Sequence, residues 1–478
     1  MTSEDFIALL PLLVTALSSL IVLLITAFRR NHLLVAVVTS LGLMGALMTL
    51  PVASQVAPRQ VTPLLLVDAY AIFYSGLLLA AGLAVTGLSY GYLEKRAGQH
   101  EEFYVLLLLA TLGAITLAAA THFASFFLGL ELLSVSLYVL IAYVRTDKRP
   151  IEAGIKYMIL SGASSSFLLF GMALVYFHVG TMEFARMAVA LDDHVDVPYP
   201  FLVGLVLILT GVGFKLAVVP FHMWASDVYE GAPAPVTAFV ATVSKGAVMA
   251  LFVRYWLIVD GARYESLWLV LSLIAGGSMC VGNLLALWQD NVKRILAYSS
   301  IAHLGYLFVA ILASGTMVVE AVSFYLVAYF IATLGAFGIV TVLSRSDGDA
   351  AAMHDYRGLY WRRPGLAGVL TVMLLSLAGI PLTAGFMGKF YIITVGVQSA
   401  LWVLLILLVL NSVIGLFYYL RIIVWMSTVP AEDQPRIIAI PVPDVSWAEH
   451  VVLAMLTILL VWLGLYPSPF IRMIQSLS

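Results

Sequence analysis

A single cysteine, Cys280, in 478 residues leaves no partner for an internal disulfide and no CxxC metal site. Charge is nearly as scarce: Asp, Glu, Lys and Arg make up 10% of the chain, where a soluble domain carries about a quarter. There is no GxxxxGK[ST] phosphate loop, no GxGxxG after a strand, no HExxH and no GxSxG. Nucleotide, zinc-hydrolase and serine-nucleophile chemistry therefore has no motif to rest on, and no His pair stands at haem-ligand spacing. The opening MTSEDF is acidic where a cleavable secretory signal is basic, so the first apolar run is expected to be a retained membrane helix.

What the chain has instead is apolar length: 62% hydrophobic residues and a mean hydropathy of +1.04. Runs of about 20 such residues, one bilayer core in helical rise, recur throughout and are continuous rather than alternating. This predicts an all-α polytopic membrane protein. Cutting at polar clusters predicts about fourteen spans: 6–27, 33–52, 70–92, 103–119, 123–144, 154–178, 200–221, 235–256, 267–288, 293–314, 318–343, 364–394, 400–426 and 448–466. The weakest cut is at ATHFAS, between the fourth and fifth.

The positive-inside rule tests that count. With the N-terminus outside, one set of loops collects Arg29, Arg30, Lys95, Arg96, Arg145, Lys148, Arg149, Lys293, Arg294, Arg345, Arg357, Arg362, Arg363 and Arg436. The other set holds Arg59, Arg186, Arg263 and Arg472, and its longest loop, LDDHVDVPYP, is acidic. One miscounted span would mix the two, so both termini are expected on the periplasmic side. Two polar inserts, 344–364 and 430–447, are read as loops, the second punctuated by prolines.

Two short stretches match each other. KLAVVP (215–220) and SLAGIP (376–381) share leucine, alanine and proline, with Ser376 in the place of Lys215. They lie in the seventh and twelfth spans, and an odd offset sets the copies in opposite orientations. Paired interruptions of this kind mark an inverted repeat with a site near the midplane. The alternative is that Pro220 and Pro381 merely end or kink their helices. The expected division is 1–100 for three N-terminal helices, 101–258 and 259–428 for the two five-helix repeats with interrupted helices 7 and 12, and 429–478 for a loop and helix 14.

Few ionisable groups remain inside spans once loops are removed: Glu131, Lys156, Lys215, Lys245, His303 and Lys389, with His222 behind the seventh-span proline. A charge at the bilayer centre costs on the order of 2.5–3.5 kcal/mol even on the lenient insertion scale, so these groups are expected to face one another or internal water. Burial disfavours a lysine's charged form and a nearby carboxylate restores it, which suits loading and releasing a proton. Structural readings stand beside this one: an ion pair between Glu131 and a lysine, snorkelling of Lys156, and hydrogen-bonded core histidines at 222 and 303.

The runs GLELLSVSLYVL, EAGIKYMILSGASSSFLLFGMALVY, GFKLAVVPFHMWASDVYEGAPAPVTAFVATVSKGA and LAGIPLTAGFMGKFYI resemble the N-type antiporter-like membrane subunits of bacterial respiratory NADH:quinone oxidoreductase, complex I. The resemblance covers essentially the whole chain. It implies a proton-translocating module of the membrane arm in the bacterial inner membrane, with Glu131, Lys215 and Lys245 in the cytoplasmic and central part of the path and Lys389 in the periplasmic half. It implies no cofactor in this chain, with FMN, iron–sulfur clusters and quinone elsewhere in the complex. The expected partners are other membrane-arm subunits, sister antiporter-like chains among them, and the lipid bilayer; no nucleic-acid partner is expected. Lysine rather than glutamate after the twelfth-span break separates it from one sister subunit, and the lack of a long lateral helix from another. Two rivals remain: a subunit of a multisubunit cation/proton antiporter, and a membrane-arm subunit whose buried ions only fix helix packing.

Overall fold

The computed structural model describes residues 2–192, 199–313, 317–428 and 445–475. Thirteen helices among them are long and apolar enough to cross a membrane. In chain order they are Leu10–Phe28, His32–Ser54, Ala69–Glu94, Glu101–Ala119, Phe123–Ile141, Lys148–Val179, Tyr199–Leu216, Ala234–Ile258, Glu265–Leu287, Val292–Leu312, Met317–Leu343, Trp402–Ser427 and Trp447–Leu465. Between the eleventh and the Trp402 helix stand two shorter ones, Pro364–Ala378 and Ala384–Gln398, which together form the twelfth of fourteen spans.

The cut at ATHFAS is real. The fourth span stops at Ala119, and His122 caps the fifth, its Nδ1 accepting from the Ala124 N–H at 3.0 Å. The twelfth breaks where expected, but the seventh ends at Leu216, before its proline, rather than at 221. The sixth begins at Lys148, six residues earlier than its hydropathy suggested, because Asp147 caps it through the Arg149 N–H. The insert at 344–364 is not a plain loop: it holds a 3-10 turn, Met353–Tyr356, and a helical turn, Leu359–Arg362, anchored by buried Met353, Tyr356 and Leu359. A small hairpin, Arg59–Thr62 with Leu65–Val67, follows the second span. Residues 193–198 of the acidic loop, and 429–444 with Arg436, lie outside the described residues.

The apolar stretches of the eighth, tenth and eleventh spans are wholly buried, so these three form the centre of the bundle. The first, second, thirteenth and fourteenth instead expose leucines and valines such as Leu24, Leu41, Val413 and Ile458, the surface that hydrocarbon wets. Between spans there is no hydrophobic drive in lipid, so close backbone approach matters. A Cβ built on Gly171 would come within 2.6 Å of the Gly204 carbonyl, which draws the sixth span onto the seventh. One on Gly305 would meet the Ala275 carbonyl at 2.9 Å, which does the same for the ninth and tenth.

The two ends of the bundle are tied by ions. At the basic end, Asp349 accepts from Lys293 at 2.7 Å, from Arg96 at 2.9 Å and from the Tyr92 hydroxyl at 2.7 Å. It thus joins the 344–352 loop to the third and tenth spans. Lys293 also donates to the carbonyls of Glu230 and Ala232. At the opposite end, Arg254 grips both oxygens of Asp68 at 2.7 and 2.9 Å and donates to the Ala118 carbonyl. Arg254 is a buried charge within the eighth span that the reading of the sequence passed over.

Candidate functional site

Lys215 occupies the last turn of the seventh span, where the positive side chain suits the negative end of the helix. The chain leaves the helix through Ala217 at φ 57°, and the Val218 N–H closes back onto the Gly213 carbonyl at 3.0 Å. It resumes as a helix at Met223. Lys215 is 3% exposed and donates to two hydroxyls, Ser134 at 2.6 Å and Ser161 at 2.5 Å. Tyr138 stands 2.9 Å from the same Ser161. One helical turn along the sixth span, Ser165 donates to Glu131 at 2.5 Å. Glu131 and Lys215 therefore form no direct ion pair; serines one turn apart on a single helix hold them.

Lys245 follows a π turn, Val240–Ser244, inside the eighth span. Such turns widen a helix by one residue and are frequent where function requires a side chain to be re-aimed. Lys245 is 1% exposed and donates to Ser300 at 2.7 Å, which also accepts from the Tyr329 hydroxyl at 2.7 Å. The ring of Tyr229 lies 5.3 Å from the ammonium. Its neighbour in sequence to Ser300, Ser299, is hydrogen-bonded to Tyr419. Tyr419 in turn meets His303 Nε2 at 3.2 Å, while His303 Nδ1 meets Tyr325 at 2.6 Å. Both ring nitrogens of His303 are thus engaged by hydroxyls.

Lys389 lies in the second half of the twelfth span and reaches back across the break. Its Nζ donates to the Ala378 carbonyl at 2.8 Å, the end of the first half-helix. Gly379, at φ 84°, makes this possible: a Cβ there would meet Lys389 Cδ at 2.8 Å. Lys389, Ser376, Gly385, His303, Tyr325 and Tyr329 line one small cavity of about 10 Å³, room for roughly one water. The Lys245 group and the Lys389 group therefore share the walls of one space. No hydrogen bond joins them to the Lys215 group among the described residues.

Two of the expected residues stand apart. His222 is 8% exposed beside the seventh-span break, with its Nδ1 buried and unpartnered. The Lys156 side chain is 44% exposed and pairs with Glu152 at 2.8 Å and Asp227 at 3.0 Å, outside the buried groups. What the sequence reading missed are the partners: Ser134, Ser161, Ser165, Tyr138, Tyr325, Tyr329 and Tyr419. Helical spacing carried a signal, since Ser161 and Ser165, like Tyr325 and Tyr329, are four apart and share a face. Every lysine in the site has neutral partners within hydrogen-bond reach, and a hydrogen bond to a charged group contributes about 1.5–3 kcal/mol. Ammonium groups held by hydroxyls, with a histidine between two of them, can hold and pass protons; among the described residues no cluster of His, Cys, Asp and Glu could hold a metal.

Comparison with known proteins agrees with this geometry. Residues 120–415 match the model of the NADH:quinone oxidoreductase/Mrp antiporter transmembrane family. NADH-quinone oxidoreductase subunit N of Ectopseudomonas mendocina is 48% identical over 99% of this chain and 97% of its own. A chain of respiratory complex I from Thermus thermophilus with bound aureothin is 31% identical, with a TM-score of 0.83 over 98% of this chain and all of that one. A chain of the Mrp complex from a Dietzia species superposes with a TM-score of 0.86 over 100% of this chain and 97% of that one, at 20% identity, and shares the fold. By sequence and by architecture, the chain belongs to the NADH:quinone oxidoreductase/Mrp antiporter transmembrane family.

Proposed function

We propose that this chain is a proton-translocating, antiporter-like subunit of the membrane arm of an NADH:quinone oxidoreductase. The observation that carries the reading is the set of three buried lysines, Lys215, Lys245 and Lys389, each held by neutral oxygen donors or acceptors rather than by a carboxylate. Fixed ion pairs would lock the charge in place, whereas hydroxyls accommodate either protonation state at modest cost. In this reading Glu131 biases Lys215 through the Ser165–Ser161 turn, and Lys245, His303 and Lys389 exchange protons around their common cavity. His222 and Lys156 belong to the approach at the seventh-span break. The two interrupted helices support an inverted repeat over 101–258 and 259–428, following the three N-terminal helices and preceding helix 14.

The redox chemistry belongs to other subunits, which carry FMN, iron–sulfur clusters and quinone, and the chain works beside sister antiporter-like subunits. The loop charges support a place in the bacterial inner membrane with both termini periplasmic. NADH-driven proton pumping and quinone reduction, measured on complexes with Lys215→Ala or Glu131→Ala, test the proposal. Pumping is expected to fall in both; undiminished coupling in both would overturn it in favour of a packing role. Purification separates the antiporter alternative: flavin and iron–sulfur partners should co-isolate, and sodium-dependent transport without them would favour a stand-alone antiporter.

A further inference from the structure

Beyond the site lies a second polar group, buried where the ninth, tenth and thirteenth spans meet. Asn283 is 1% and Asn411 3% exposed, at a depth where any apolar side chain would be cheaper. The Asn283 amide donates to the Tyr306 hydroxyl at 3.1 Å, to the Met279 carbonyl at 2.8 Å and, more weakly, to Asn411 Oδ1 at 3.5 Å. Its carbonyl oxygen accepts from the Tyr418 hydroxyl at 2.9 Å. Asn411 donates to the Leu407 carbonyl at 2.9 Å and to Cys280 Sγ at 3.5 Å. Ser412, near Tyr306, has a buried hydroxyl with no partner.

The group has two ends. Toward the site, the Tyr306 ring lies 5.1 Å from Lys389 Nζ and packs edge-on against His303 at 5.5 Å. Toward the basic end, Tyr418 is followed three residues later by Arg421. Arg421 donates to the carbonyls of Leu287 and Gln289, and its side chain is 24% exposed beside the open carboxylate of Asp290. Along the ninth span the same direction runs from Cys280 through Asn283 to Leu287, where the helix ends. Lys389 is thus connected by polar side chains to the same end of the bundle that carries Lys293 and Arg96.

We propose that Tyr306, Asn283, Asn411 and Tyr418 form a separate inlet that positions water and protons for Lys389 from the basic end. Amides donate and accept at once, so they hold water in line; the tyrosine hydroxyls accept one proton as they release another. A proton arriving through Tyr306 would load a neutral Lys389 without first crossing the Lys215 group. This rests on the proton-translocating reading above and places a branch in the half of the chain expected to serve only release. It competes with a simpler role, in which the amides merely fasten three helices.

The test uses the intact complex in sealed vesicles, reading protons moved per NADH oxidised and, separately, NADH:quinone turnover with the gradient collapsed. Asn283→Leu and Asn411→Leu should lower the proton-to-electron ratio to the level of Lys389→Met while leaving uncoupled turnover in place. Asn411→Ser, which restores a hydrogen-bonding group, should recover part of the ratio. A fastening role would change thermal stability and leave the ratio untouched. If the leucine variants keep a full ratio while Lys389→Met loses it, the inlet is wrong and the broader reading stands. If Lys389→Met also keeps it, the broader reading fails first. Should leucine block assembly, Tyr418→Phe removes one oxygen from the same line and reads the same ratio.

Discussion

Lys389 caps the helix that precedes its own: its ammonium sits 2.8 Å from the Ala378 carbonyl, eleven residues back across the twelfth-span break. The matching break in the seventh span is capped differently, by the neutral Trp224 indole donating to the Phe214 carbonyl at 2.9 Å. One copy of the interruption is thus closed by a charge and the other is not. Arg and Lys both supply a cap, but only lysine readily gives up its proton. Lys389→Arg is therefore expected to assemble like the parent and still lose NADH-driven proton pumping, as read by a vesicle pH dye. Equal pumping in Lys389→Arg would mean that the cap, not the proton, is what the residue contributes.

Lys215 has two hydroxyl partners, so their removal should be graded. Ser134→Ala or Ser161→Ala alone deletes one hydrogen bond to a charged group, about 1.5–3 kcal/mol when made. Pumping should fall in each and fall further in the double variant. Ser165→Ala, which frees Glu131 instead, should mimic a partial loss of the carboxylate. If all three serine variants pump normally, the serines are bystanders.

The left-handed residues at the two breaks make opposite predictions. Ala217 holds φ 57° with a Cβ, a conformation costing about 1–2 kcal/mol relative to the right-handed one. Ala217→Gly should raise the melting temperature of the complex subunit slightly or leave it unchanged. Gly379→Ala should lower it, since strain adds to a 2.8 Å approach to Lys389 Cδ, and should weaken pumping with it.

Asp349 predicts a pH response outside the membrane. Burial alone would raise its pKa, but Lys293 and Arg96 hold it below the usual 3.8. A carboxylate lowered on folding adds stability that is complete above the unfolded value and lost as pH falls through the folded one. The loop tether should therefore be constant from about pH 5 upward and fail only in strong acid. Asp349→Asn should flatten that acid limb of a thermal-stability profile; an unchanged limb would locate the acid sensitivity elsewhere.

The buried Arg254–Asp68 pair gives a stability test independent of transport. Removing one partner leaves a charge uncompensated, a loss of about 3–5 kcal/mol in comparable sites. Arg254→Leu should destabilise strongly, and the double variant with Asp68→Leu should recover part of the loss. Equal destabilisation by single and double variants would show that the pair does not act as a unit.

Span count and the breaks were legible because hydropathy, proline and loop charge report directly on the bilayer. Glu131, Lys215, Lys245 and Lys389 were legible because a charge in an apolar run is conspicuous. Their partners were not: Ser161 and Tyr329 look like any serine or tyrosine in a membrane helix, and only packing shows which face meets a lysine. The π turn before Lys245 left no mark either, since VATVS breaks no helical pattern. Lys156 looked buried from its surroundings, yet the sixth span starts early enough, at Lys148, to put it on an ion-paired surface.

The serine and carbonyl cradles carry a consequence for the charge balance of the whole membrane-embedded set. Three ammonium groups counted against the single carboxylate of Glu131 would leave it two charges in excess if every lysine were loaded together. Like charges repel strongly where water is scarce. The three seats therefore cannot fill independently: a proton taken by one raises the cost at the next, and a proton leaving lowers it. A string of neutral cradles in a dry interior is in this sense a queue, in which each occupant advances only as the place ahead empties.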